Sequence, residues 1–93
     1  MPVPARKLDN LLANVLGFER RLGRHQMYVL RVGERQVVRT MISHGAREVG
    51  DDLLSLMARQ MGIALRQLKD LLEGSADRED YLRWLRDAGR LAG

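Results

Sequence analysis

The chain carries two histidines, His25 and His44, and both lie in an arginine-rich stretch. Histidine titrates near neutral pH, so it can accept or donate a proton under ordinary conditions. Cleaving RNA without a metal needs a base for the 2′-hydroxyl proton and positive groups for the charge that builds on the phosphate. His25 directly follows Arg24 and is the candidate base. Arg20, Arg21, Arg24, Arg39 and Arg47 are the candidates to hold phosphates. His44, in the run Ile42-Ser43-His44-Gly45, is a candidate second proton carrier. The same residues admit a plainer reading, with His25 a polar residue at a strand end and His44 a loop residue.

Other chemistries find little support. There is no cysteine, hence no disulfide frame and no zinc-finger spacing. Two histidines that are not an i,i+4 pair on a helix make a poor metal site, so neither a metal nor another cofactor is expected. The chain lacks G-x-S-x-G, G-x-x-x-x-G-K-[ST] and H-E-x-x-H. Asp51-Asp52, and likewise Asp77, Glu79 and Asp80, read as helix-start acids that complement the helix dipole. One Trp, two Tyr and one Phe are too few for a binder that stacks successive bases. Tyr28 could stack on a base, while Phe18 and Trp84 are expected in the core.

These residues must be held by something. Leu8, Leu11, Leu12, Val15 and Leu16 recur at helical spacing, which predicts a helix over 5–17 with Pro4 before it and Gly17 closing it. A short strand is expected over 18–22, with Gly23 turning it. Gln26 to Val32 and Arg35 to Ile42 are rich in β-branched residues, and Gly33-Glu34 between them suits a two-residue type II′ turn. In that hairpin Val32 would face Arg35, Leu30 would face Val37, Tyr28 would face Arg39 and His25 would face Ile42. One face would then carry Tyr28, Leu30, Val32, Val37 and Met41 with Arg35 and Arg39, and the other His25, Met27, Val29, Val38, Thr40 and Ile42 with Arg31 and Gln36. Both faces are mixed, and a one-residue slip would reassign every side chain. Residues 43–50 read as a loop.

Three helices follow. The first runs from Asp51 to Met61, with Leu53, Leu54, Met57 and Met61 at helical spacing and Gly62 as its stop. The second covers 64–73 and ends at Gly74. The third starts near Arg78, capped by Ser75 or Asp77, with Tyr81, Leu82, Trp84, Leu85 and Ala88 as its apolar stripe. The element order α-β-β-β-α-α-α predicts an α+β fold, a three-stranded antiparallel sheet packed on helices.

Ninety-three residues are expected to form a single domain over 1–93. The net charge of +4 is unevenly spread. From Arg20 to Arg47 seven arginines face one acid, Glu34, so that segment alone carries +6, and the remainder past Arg47 carries −2. A basic surface of this kind attracts polyanions, of which nucleic acid is the commonest. No stretch is long and apolar enough to span a bilayer, so no membrane role is expected. A chain without cysteine or an apolar leader is expected in the cytoplasm.

Taken in order, Leu16-Gly17-Phe18, then Gly23-Arg24-His25, then His44-Gly45-Ala46-Arg47-Glu48-Val49, then the helix from Gly50 to Ile63 resemble the HicA family of toxin–antitoxin modules. In that family a helix ending in Leu-Gly-Phe precedes a Gly-Ser-His motif at a hairpin. A second histidine and a helix opening on Gly-Thr-Leu follow. The resemblance covers roughly Leu8 to Leu72, and 75–93 is a helical C-terminal extension beyond it. It implies a double-stranded-RNA-binding-like fold, mRNA cleavage with His25 in the place of the catalytic histidine, and a cognate antitoxin protein that covers the site. A non-catalytic RNA-binding module of the same fold stays open as an alternative. So does a protein-interaction domain docking through its C-terminal helices.

Overall fold

The structure, a computed structural model, describes residues 2–43 and 45–91. Pro4 ends a two-residue strand, β1 (Val3–Pro4), and opens helix α1 (Ala5–Asn10). The helix widens into a π-helical turn over Leu11–Val15, and the Leu16 N–H donates to the Leu11 carbonyl at 2.8 Å. That wider turn corrects the predicted apolar face. Leu8, Leu11, Leu12 and Leu16 are buried, but Val15 is rotated off the face and is 43% exposed. A five-residue hydrogen-bonded step brings Leu16, rather than Val15, back over Leu11.

The sheet holds β2 (Glu19–Leu22), β3 (Gln26–Val32) and β4 (Arg35–Ile42), antiparallel and in that order. β2 begins one residue later than predicted, because Phe18 points its ring into the core beside Tyr81. Gly33 has φ +65° and no other residue type among the described ones has positive φ, as a type II′ turn requires. The turn pairs Val32 with Arg35 and Arg31 with Gln36, as expected. The ladder then slips by one. Leu30 faces Val38, Tyr28 faces Thr40 and Gln26 faces Ile42, with Val37 the extra residue of a β-bulge.

The bulge corrects both predicted faces. Past it, Val38, Thr40 and Ile42 join Tyr28 and Leu30 on the buried side. Arg39 and Met41 join Met27, Val29 and Arg31 on the other. The slip follows from burial: an unbulged ladder would have put Arg39 into the core and Val38 and Ile42 outside it. It also removes His25 from the ladder, and the residue lies in the β2–β3 loop.

The loop predicted over 43–50 contains a two-residue strand, β5 (Glu48–Val49), paired antiparallel with β1. The Ala5 N–H adds a bond to the Arg47 carbonyl at 2.8 Å. α2 (Asp51–Met61) ends on Gly62 in the left-handed conformation. Leu53, predicted on its apolar face, is 51% exposed, while Leu54, Met57, Ala58 and Met61 are buried. α3 (Leu65–Glu73) follows, its first turn tied by Gln67, whose side-chain oxygen accepts from the Ala64 N–H at 2.9 Å. α4 (Arg78–Asp87) opens on a reciprocal box. The Asp77 carboxylate accepts from the Asp80 N–H and the Asp80 carboxylate from the Asp77 N–H, each at 3.0 Å.

One core joins all four helices to one face of the sheet. It includes Leu8, Leu12, Leu16, Leu54, Met61, Leu68, Tyr81 and Leu85 with Tyr28, Leu30, Val38 and Ile42. The fold is α+β, a three-stranded antiparallel sheet covered by helices in the order α-β-β-β-α with two further helices. No helix among the described residues is long and apolar enough to cross a membrane.

Candidate functional site

The end of the sheet that carries the β2–β3 loop borders an open cleft. Its last rungs pair Leu22 with Gln26 and Gln26 with Ile42. These three, with Arg20, form one wall. Ala5, Arg6 and Asp9 of α1 form the other, and Ala46 closes the side. The cleft measures about 500 Å³. A neighbouring hollow of about 400 Å³ shares Ala5, Arg6 and Ala46 and adds Arg47 and Glu48. Cations therefore line adjoining depressions on either side of α1's first turn.

Asp9 organises the wall. Its carboxylate accepts from Arg20 Nε at 2.8 Å and Nη2 at 2.7 Å, a two-pronged pair. The Tyr28 hydroxyl donates to it at 2.6 Å and Gln26 Nε2 at 3.4 Å, and Gln26 Nε2 also donates to the Tyr28 oxygen. Partial burial works to raise the Asp9 pKa, but the bonds from Arg20, Tyr28 and Gln26 outweigh it and hold the carboxyl below its ordinary value. The Arg20 pKa is raised, chiefly by its hydrogen bond to Asp9. Burial, then the bond to Asp9, pushes the Tyr28 hydroxyl up to about 12.

The structure separates the residues nominated from sequence. Arg20 lies in the cleft wall but is committed to Asp9. Arg47 lines the adjoining hollow. His25 and Arg24 sit together, exposed, in the loop at the end of the sheet. His25 has no hydrogen-bond or ion-pair partner among the described residues. Arg21 and Arg39 stand on the opposite face of the sheet, since β2 and β4 alternate sides. Arg21 there pairs with Glu19 at 3.3 Å. His44 lies outside the described residues.

Sequence reasoning missed Arg6, Asp9 and Gln26. Asp9 lies 11 residues from Arg20 and 19 from Tyr28, and only the pairing of β2 with β3 brings those two side by side. The available signal was a lone acid flanking the Leu8/Leu12 stripe near an arginine cluster. Among the described residues no group of three or more histidine, aspartate or glutamate side chains could hold a metal ion. A separate apolar hollow of about 80 Å³ lies between β4 and α2, with Met41, Leu53 and Leu56 on its lining. Tyr81 and Leu85 of the C-terminal stripe are spent in the core, and Trp84 packs partly against it.

No protein-family model, no curated protein and no solved structure matches this chain.

Proposed function

We propose that this chain is an RNA-acting domain of HicA-like character, a metal-independent ribonuclease with mRNA as substrate. The supporting observation is placement: an exposed histidine, His25, adjoins Arg24 on a loop beside a cleft that holds Arg6 and Arg20. In this reading neutral His25 takes the proton of a 2′-hydroxyl. The 2′-oxygen attacks the adjacent phosphorus, the bond to the 5′-oxygen breaks, and that oxygen leaves with a proton from a second carrier, for which His44 is the candidate. Arg24, with Arg20 held in place by Asp9, stabilises the charge on the phosphoryl oxygens. Arg47, Arg21 and Arg39 hold flanking phosphates. A cognate antitoxin belongs to the proposal because the HicA resemblance implies one.

The test is cleavage of labelled cellular RNA by the purified protein in EDTA, wild type beside His25→Ala. The expected outcome is cleavage by wild type alone, leaving 2′,3′-cyclic phosphate and 5′-hydroxyl ends. The His25→Ala rate should fall at least 100-fold, within the usual range for a lost acid–base group. Full activity in His25→Ala sinks the assignment. A second reading, a non-catalytic RNA-binding module, is favoured by one observation. No described group orients the His25 ring, and a catalytic base is ordinarily held by a third group. Salt-sensitive RNA binding with no cleavage by either protein selects that reading.

A further inference from the structure

The helices cover one face of the sheet and leave the other uncovered. On the uncovered face, register places Arg21, Met27 and Met41 in the row nearest the His25 loop, then Glu19, Val29 and Arg39, then Arg31 and Gln36. Val29 stands in the middle of this face yet is only 2% exposed, and it does not belong to the core cluster. Register sets Glu19 and Arg39 on either side of it and Met27 and Arg31 along its own strand. Arginine stems lie readily over apolar surface while their guanidinium groups stay in water. Arg31 and Arg39, rooted along and beside Val29, are long enough to cover it in this way.

Arg31 and Arg39 make no ion pair among the described residues, so their charge is available. Neighbouring strands are about 4.8 Å apart and alternate residues about 6.7 Å apart along a strand, which puts the roots of Arg31 and Arg39 roughly 8 Å from each other. The two unpaired arginines span only that roughly 8 Å step, far less than the stretch that duplex readers of about 16 base pairs contact. A single strand can adjust its phosphates to such a row. The face has no aromatic side chain for base stacking, so recognition is by phosphate and indifferent to base.

We propose that this outer face, with Arg31 and Arg39 flanking Val29 in the register, is a track for the phosphodiester backbone of single-stranded RNA running toward the His25 loop. The proposal rests on the RNA-acting reading and adds a surface on the far side of the sheet from the cleft, with Arg31 as a residue that sequence reasoning had not nominated. The β2–β3 loop lies where track and cleft meet. RNA entering along the sheet would round that loop and present a phosphate beside His25.

The test is fluorescence anisotropy of a labelled oligouridine titrated with the full chain across a series of salt concentrations. Wild type, Arg31→Gln, Arg31→Gln/Arg39→Gln and Arg31→Lys are compared, with thermal unfolding by circular dichroism to confirm that each is folded. Each phosphate contact on a single strand contributes about 0.7 to the slope of log affinity against log salt, so the double variant should lose about 1.4. Arg31→Lys, which keeps charge and stem, should hold the wild-type slope. A steep wild-type slope that neither glutamine variant changes overturns the track and leaves the RNA reading standing. No RNA binding by wild type overturns both. A duplex that binds more tightly and loses the same slope overturns the single-strand assignment. Displacement of the RNA by polyglutamate at equal charge moves the face to an acidic protein partner and overturns the assignment to RNA.

Discussion

Asp9 does at the scale of one residue what no motif announces. Its carboxylate gathers donors from Arg20, Gln26 and Tyr28, and so locks α1 to β2 and β3 at the cleft. Asp9→Ala removes the acceptor of the buried Tyr28 hydroxyl's proton and leaves Arg20 without its partner. The expected cost is about 2 kcal/mol in denaturant unfolding, as for lost hydrogen bonds to a charged group. An unchanged midpoint would show that solvent replaces the carboxylate freely. The pH dependence has a definite sign. Asp9's folded pKa is depressed, so its contribution is complete above the unfolded value near 4 and is lost as pH falls through the lower folded value. Tyr28's is raised to about 12, so its contribution is complete below the ordinary tyrosine value near 10 and is lost as pH rises through about 12. Burial raises Tyr81 as well. Tyrosinate absorbance should therefore be absent from the folded protein at pH 10 and appear only with unfolding or beyond. Residue type alone pointed to the histidines and arginines. The carboxylate that positions one of them was hidden, because its partners are distant in sequence.

At the scale of elements, most of the architecture was legible and two local irregularities were not. Helices, strands and the turn at Gly33 follow from periodicity and punctuation, and Gly62 and Gly74 stop their helices where expected. The π-helical turn at Leu11–Val15 and the bulge at Val37 each displace one residue from a regular repeat. A period of 3.6 or 2 cannot show where it is broken, and the break is set by what the core needs: Leu16 over Leu11, Ile42 rather than Met41 inside. The two stop glycines allow a comparison. Both have φ above +80°, so an alanine at either is strained, at roughly 1–2 kcal/mol. At Gly74 an added Cβ meets nothing within 4 Å, whereas at Gly62 it lies 3.2 Å from Leu85 Cδ2 and 3.1 Å from Arg90 Nε. Gly62→Ala should therefore lower Tm more than Gly74→Ala, since Leu85 is fully buried and cannot yield easily. Equal Tm losses would mean that the α2–α4 contact relaxes without cost.

At the scale of the whole molecule, the cleft depends on backbone outside the long elements. The basic segment from Arg20 to Arg47 forms the sheet and its loops, and the mildly acidic helices lie behind it. The cleft at the β2–β3 end of the sheet has α1 as one wall, but its side is closed by the segment around Ala46, which belongs to no long element. The staple of β1 on β5 fixes that segment, through Val3 opposite Val49 and the bond from the Ala5 N–H to the Arg47 carbonyl. Two-residue strands are the first structure to open in local fluctuations, since they bury little and carry few bonds. Val3 is the only apolar anchor that β1 offers the core. Val3→Gly should therefore release the staple while the sheet and the helical core stay intact. Hydrogen exchange should show the Ala5 amide losing protection and the β3 amides keeping it. If Arg47 holds a phosphate, the same variant weakens RNA binding without changing the contribution of Arg31 and Arg39 on the far face. Ala5 protection equal to wild type would show that the Arg47 segment is held by its own turn and that the N-terminal strand is incidental to the cleft.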